Sequence, residues 1–421
     1  MPLSLYTLLL NLLVPFALLK LWWRGRRMPE YRRHIPERFG IYSSAGPEAP
    51  VIWLHAVSVG ETQAAAPLVE RLLQRYPGYR ILLTHTTPTG RATGEQLFGD
   101  RVLRAYLPYD LPEAMQHFLA HFRPRIGLLL ETELWFNLIA ACRARNTPLL
   151  LVNARLSEKS ARGYARLGSL TRQGLQALAG IAAQTDADAG RLRALGARDV
   201  TVTGNLKFDV TPPPQAAALG GALRQRWGTA RPVFLAASTR DGEEALILDA
   251  VQAAAIPDLL TVIVPRHPQR FDDTARLLQK RGIRFVRRSM ELPVAADCQV
   301  VLGDSMGEMH AYYAACDVAF IGGSLLRGGG QNLIEACAMG RPVLIGPHTW
   351  NFAAITQSAI AAVAALCVED AAALTRALDS LLNDHALRSR MAANALAFSR
   401  SQGGAVDRVL GLIETQLPDG S

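Results

Sequence analysis

Short apolar runs that stop abruptly at polar residues recur along this chain, and they constrain its fold more than any other feature. In the first half they are Val51–Leu54 (VIWL), Arg80–Thr84 (RILLT), Arg125–Leu130 (RIGLLL), Pro148–Val152 (PLLLV), Gly180–Ala183 and Val200–Val202. A run without polar alternation reads as a strand covered on both faces, the condition of a parallel sheet flanked by helices. Thr62–Arg75 then reads as the first crossover helix. Thr211–Gln215 (TPPPQ) breaks the rhythm, and it restarts with Pro232–Ala236, Leu260–Val264, Gln299–Leu302, Val318–Ile321 and Pro342–Ile345. A chain of 421 residues exceeds one ordinary core. We therefore expect two doubly wound α/β domains, 24–210 and 211–421, with ligands at the carboxyl ends of the strands. Neither half carries G-x-G-x-x-G after its first strand, which argues against a dinucleotide dehydrogenase.

The stretch before the first domain differs in kind. Leu3–Leu19 is apolar apart from Ser4, Thr7 and Asn11, and Lys20, Trp22, Trp23 and the basic run Arg24, Arg26, Arg27, Arg32 and Arg33 follow it. Residues 1–23 are long enough to span a thin bilayer, with the tryptophans at its interface; a helix lying in the interface is the alternative. A cleavable signal would need charge before the apolar run and a small-residue cleavage site after it, and neither is present. The basic flank puts the domains on the cytoplasmic side. The net charge of +9 suggests a polyanionic partner. An anionic membrane surface fits it better than nucleic acid, since no basic patch is interleaved with aromatics. Cys142, Cys298, Cys316, Cys337 and Cys367 are an odd, scattered set among apolar residues, so they read as reduced, buried thiols without metal or disulfide.

Several strand ends carry chemistry. Glu61 ends HAVSVGE at the mouth of the first strand, where it serves either to cap the following helix or as a base facing a ligand. Glu131 and Glu133, in ETELW, stand on the same sheet edge, and neighbouring carboxylates raise one another's pKa toward neutrality. Lys207, in GNLKFD, is placed to meet developing negative charge. Arg266 and His267 follow a strand where a phosphate would lie. Ser305–Glu308 has capping-box spacing, which is compatible with an anion at the same N–H groups. Gly328–Gly330 opens a helix at Asn332–Glu335, with Glu335 able to accept from ribose hydroxyls. Asp186-Ala187-Asp188 matches a metal-binding D-x-D pattern, but N-capping explains it more simply, and we expect no metal.

In order along the chain, HAVSVGE, ETELW, VNARLS, GNLKFD, VPRHPQRF, GDSMGEM, AFIGGS and GPHTWNF behind an N-terminal anchor resemble the Kdo (3-deoxy-D-manno-oct-2-ulosonic acid) transferases of Gram-negative bacteria, glycosyltransferase family 30. The resemblance covers nearly the whole chain. It implies a GT-B glycosyltransferase, two Rossmann-like domains facing a cleft, at the cytoplasmic face of the inner membrane. It also implies inverting, metal-independent transfer of Kdo from CMP-Kdo to a lipid A precursor, without a cofactor. By the same resemblance Glu61 is the general base, and Glu131 and Lys207 stabilise the transition state. Pro265, Arg266, Met306, Gly307, Glu308, Asn332, Leu333, Ile334 and Glu335 bind CMP, and Ser238, Thr239, Glu243 and Glu244 assist near the phosphate. The chain departs from the family at Gln331 and around Arg240. A different GT-B enzyme using another nucleotide sugar, and a membrane-bound nucleotide-binding protein without catalysis, are the alternatives.

Overall fold

A computed structural model describes residues 1–26, 28–210, 212–254 and 256–417. Arg27 of the basic run and Thr211 of the expected linker lie outside the described residues. The chain forms two units, one of residues 1–209 with the segment from Gln402 onward, the other of residues 210–401.

The first unit holds a seven-stranded parallel sheet of β1 (Val51–His55), β2 (Arg80–His85), β3 (Val102–Tyr106), β4 (Pro124–Leu130), β5 (Leu149–Ala154), β6 (Gly180–Ala183) and β7 (Val200–Val202). Its order is β3-β2-β1-β4-β5-β6-β7. The order reverses between β1 and β4; Glu61 lies in the first turn of the helix that follows β1, and Glu131 directly follows β4. Every residue of β1 is buried, with one hydrophobic cluster on each face of the sheet. Ser58 caps α2 (Val59–Arg75), whose inner stripe of Leu68, Val69 and Leu72 enters one of those clusters.

The second unit repeats the plan with β8 (Val233–Thr239), β9 (Leu260–Pro265), β10 (Phe285–Arg287), β11 (Val300–Leu302), β12 (Val318–Ile321), β13 (Val343–Ile345) and β14 (Ala365–Cys367). The order is β10-β11-β9-β8-β12-β13-β14, all parallel, with its reversal between β8 and β12. There the two strand ends nearly touch. A Cβ added at Gly322 would lie 2.5 Å from the Ser238 carbonyl oxygen and 2.6 Å from Thr239 Cα. Gly322→Ala should therefore destabilise the protein by about 1–3 kcal/mol, read as a lowered urea midpoint; an unchanged midpoint would show that the strand ends can part.

Two expectations need correction. The second domain was expected to run to the end of the chain, but the segment from Gln402 onward belongs to the first unit. The helix Ala405–Glu414 buries Val406, Val409, Leu410 and Ile413 in the cluster behind α2. Asp209 caps its start, accepting from the Gly404 and Val406 N–H groups at 3.0 and 2.7 Å. Cys367 is exposed, whereas the other four cysteines are buried as expected.

The N-terminal helix α1 (Leu3–Arg24) is apolar and long enough to cross a membrane, by length and composition. Its N-terminal end is also fastened to the rest of the first unit. The Met1 amine donates to the Leu167 carbonyl at 2.9 Å, Tyr6 Oη to Asp110 at 2.8 Å and Thr7 Oγ1 to Asn137 Oδ1 at 2.8 Å. Near its other end, Arg32 donates to the Trp22 carbonyl at 3.1 Å. Between these fastenings a cavity of about 350 Å³ separates α1 from the domain. The outward face presents Leu8, Leu12, Phe16, Leu19, Trp22 and Trp23 to solvent.

Candidate active site

In the first unit the polar ends of the strands hold one another. Asn153, which ends β5 at a φ of +54°, accepts from the Leu206 N–H through Oδ1 at 3.0 Å. Gln184 after β6 accepts from Asn205 Nδ2 at 3.0 Å, and Asn205 accepts from the Lys207 N–H at 3.0 Å. These bonds fix the turn Asn205–Lys207 beneath the strand ends. Lys207 Nζ then lies 3.1 Å from Glu131 Oε1. Glu131 sits at a φ of +59°, a left-handed conformation that a residue with a side chain adopts at a cost of about 1–2 kcal/mol. Strain of that kind gathers where surrounding structure demands a particular side-chain direction.

Glu61 takes the first of the roles considered for it, at the start of α2. Its backbone N–H meets Ser58 Oγ at 3.4 Å, while its own Oε1 accepts from the Ser58 hydroxyl at 2.9 Å, so Ser58 and Glu61 hold each other at the helix start. Oε2 accepts from the Val57 N–H at 2.8 Å. A carboxylate offers about four lone-pair sites, so two remain for a substrate hydroxyl. Burial pushes the Glu61 carboxyl up to about 7; the Val57 and Ser58 hydrogen bonds oppose this, and the charges of Glu131 and Glu133 add to it. Glu133 is also raised, again mainly by burial, though it accepts from Trp135 Nε1 at 2.7 Å. A group poised near neutrality both holds and releases a proton at physiological pH. The neighbouring imidazoles are unsuited to that task. Burial lowers His55 to about 3 and His85 to about 4, and both bond inward, to Thr84 and to the Ala56 carbonyl.

Removing Lys207 should expose what its charge does. Lys207→Met removes the positive charge that Glu131 meets at 3.1 Å, beside Glu61. The acid limb of the rate profile should then move to higher pH, and the plateau rate should fall about 10²-fold. A profile that only falls, without moving, would show that Lys207 does not act on the carboxylate field.

In the second unit, Glu243 dominates the switch point. Fully buried, it accepts from the N–H groups of Arg240 (2.8 Å), Gly323 (2.6 Å), Ser324 (2.9 Å) and Leu325 (2.9 Å). It shapes the loop after β12 into a fixed turn. Glu244, also buried, accepts from Thr239 Oγ1 at 2.9 Å and Arg270 at 3.1 Å. Both glutamates are thus occupied inside the fold, and the role expected for them beside a phosphate is corrected to a structural one.

Of the residues expected to hold CMP, Pro265 is buried at the end of β9 and Arg266 is exposed just beyond it. Arg266 lies close enough to Glu335 to oppose the rise that burial imposes on that carboxyl. Asn332 Oδ1 accepts from the Ile334 N–H at 3.1 Å and orders the turn into the helix Ile334–Ala338. Leu333 and Ile334 have no exposed surface, and their side chains lie in the core. Met306 is exposed, and Gly307 adopts a φ of +81°. The capping box expected at Ser305–Glu308 does not form, because the helix begins at Met309 without a side-chain cap. Ser305 instead donates to Glu308, which also binds Arg288 at 2.8 Å. Asp186-Ala187-Asp188 opens a helix whose cap is Thr185, with Asp188 completing the box and accepting from the Leu156 N–H at 2.8 Å. Glu243 and Arg288 were the residues whose importance local spacing could not reveal.

Two parallel-sheet α/β units, each with polar groups gathered at its switch point, are the building plan of the GT-B fold. Among solved structures, UDP-GlcNAc 2-epimerase from Neisseria meningitidis shares this fold, with a TM-score of 0.58 at 15% identity over 87% of this chain and all of that one. Residues 33–210 match the profile described as 3-deoxy-D-manno-octulosonic-acid transferase (kdotransferase), and residues 251–398 that of glycosyl transferases group 1. A 3-deoxy-D-manno-octulosonic acid transferase of Bordetella pertussis is 48% identical over 98% of this chain and 99% of its own length. One from Haemophilus influenzae is 39% identical over 98% of each. The chain belongs to the 3-deoxy-D-manno-octulosonic acid transferase family.

Proposed function

We propose that this glycosyltransferase moves Kdo from CMP-Kdo to a hydroxyl of a lipid A precursor such as lipid IVA, with inversion and without a metal, in lipopolysaccharide core biosynthesis. The observation that carries the proposal is Glu61, held by Ser58 and Val57 at the switch point with its pKa near 7. In this reading Glu61 takes the proton of the acceptor hydroxyl as the oxygen attacks the anomeric carbon of Kdo. The bond from that carbon to the CMP phosphate oxygen breaks, and CMP leaves with the electron pair. The Glu131–Lys207 pair steadies the charge that shifts during attack. Arg266, Asn332, Glu335 and the Met306–Glu308 turn hold CMP. The outward face of α1, with Lys20, Arg24 and Arg26 at its end, rests on the anionic cytoplasmic face of the inner membrane. Fastening of its N-terminal end to the domain favours a helix lying in the interface over the spanning one.

The test is incubation of the purified protein with freshly made CMP-Kdo and a tetraacylated, bisphosphorylated disaccharide, following acceptor mass. Mass gains in whole Kdo units, unchanged by a chelator, are expected. No gain where a known transferase works would overturn the donor or acceptor, and loss with chelator would overturn metal independence.

A further inference from the structure

The cavity beneath α1 has walls of two kinds. On the helix side lie Leu10, Val14 and Ala17; on the domain side lie Leu111, Leu134 and Trp135. Its volume of about 350 Å³ falls within the usual range of ligand pockets. Leu13 lines the cavity and is also 56% exposed, so the apolar lining continues onto the outward face of α1 without a polar break. At the other end Thr132 and Glu133 complete the lining. Glu133 is near enough to Glu61 to raise its pKa. The cavity thus runs from the exposed face of α1 to Glu133, at the edge of the candidate active site.

We propose that this cavity receives one acyl chain of the acceptor lipid, so that α1 forms half of the acceptor site as well as attaching the protein to the membrane. The inference rests on the acceptor being an acylated sugar, as proposed above. An amphipathic acceptor matches the amphipathic lining: hydrocarbon between α1 and Trp135, sugar at Thr132 and Glu133. The fastenings of Met1, Tyr6 and Thr7 keep the helix over the cavity. The apolar part of the lining offers contact to a chain entering from the bilayer, while Tyr6 and Asp110, which also line it, already bond each other.

The experiment uses the full chain on phosphatidylethanolamine–phosphatidylglycerol vesicles. A trace of tetraacylated acceptor carries a diazirine at the end of one acyl chain, and a parallel sample carries the same group on a phospholipid. After irradiation, the acceptor should label Leu111, Leu134 or Trp135, whereas the phospholipid should label Leu12, Phe16 and Leu19. Ala17→Trp, which fills the cavity while keeping α1 apolar, should cut acceptor labelling of the inner residues at least tenfold with vesicle binding unchanged. It should also slow transfer to the acylated acceptor about tenfold more than transfer to the deacylated disaccharide. Acceptor labels confined to the outer face, equal inner labelling by phospholipid, equal slowing on both acceptors, or cross-links from the inner residues to a second copy's α1 would each overturn the proposal. Photolabelling needs no sugar transfer. Inner labelling by a protein that moves no Kdo would therefore sink the proposed reaction and leave the acyl cavity standing.

Discussion

A Glu61→Gln enzyme should bind CMP as the wild type does and transfer sugar about 10²–10⁴-fold more slowly, the usual worth of a positioned general base. Glutamine keeps the local fold, since its oxygen can accept from the Val57 N–H and its amide can donate to Ser58 Oγ, so the helix cap survives. What is lost is the ability to take a proton. In the wild type the rate should climb as pH rises through about 7, where Glu61 ionises, and that limb should vanish in the variant. Stability gives an independent reading. The carboxyl binds its proton more tightly in the folded protein, at about 7, than at its ordinary value of 4.5. Between those values the folded state holds the extra proton, so wild-type stability declines as pH rises through that window. The glutamine variant lacks this decline and should melt no lower than the wild type above pH 7. A variant that retains transfer removes Glu61 from the base role; one that melts well below the wild type leaves its lost activity to be read as damage to the cap.

The other large effect belongs to stability. Glu243→Ala should destabilise the second unit by about 3 kcal/mol or more, because four backbone N–H groups would face a buried space without an acceptor. The loop after β12 should loosen, and the stabilisation conferred by added CMP should fall with it. Limited proteolysis reads this directly: cuts within 210–401 should appear at protease levels that leave the first unit intact. Glu243→Gln, with one carbonyl oxygen for four donors, should fall between the two. An alanine variant as resistant as wild type would show that water satisfies the turn equally well.

Most of the strands legible in the sequence are those covered on both faces, because they carry the longer apolar runs. Val102–Tyr106, Phe285–Arg287 and Ala365–Cys367 were missed, and all three are edge strands. Arg104 sits half-buried within the first of them, and Phe285–Arg287 is nowhere fully buried, so neither presents a continuous apolar run. Val200–Val202 is also an edge strand, and it was readable because turns bracket so short a run. Glu61, Glu131 and Lys207 could be singled out because each directly follows a strand or lies in a turn with glycine and asparagine. The pairing of Glu131 with Lys207 depends on Asn153 and Gln184, which are distant in sequence, and no local pattern encodes it. Glu243 was visible only as an acid near the start of a helix; its four partners come mainly from a loop some 80 residues on. Leu333 and Ile334 stood in a motif, but their side chains serve the core.

The helix Ala405–Glu414, which closes the first unit, is made after the entire second unit. During synthesis, the rear of α2 therefore emerges with Leu68, Val69 and Leu72 lacking the cover that Val406, Val409, Leu410 and Ile413 later provide. The half of the protein that bears Glu61 is begun first and finished last, and the second unit folds as an insert within it. A ribosome halted at Ser401 would release a complete second unit attached to an unfinished first, so a truncation there would reach the surroundings of Glu61 from the far side of the inserted unit.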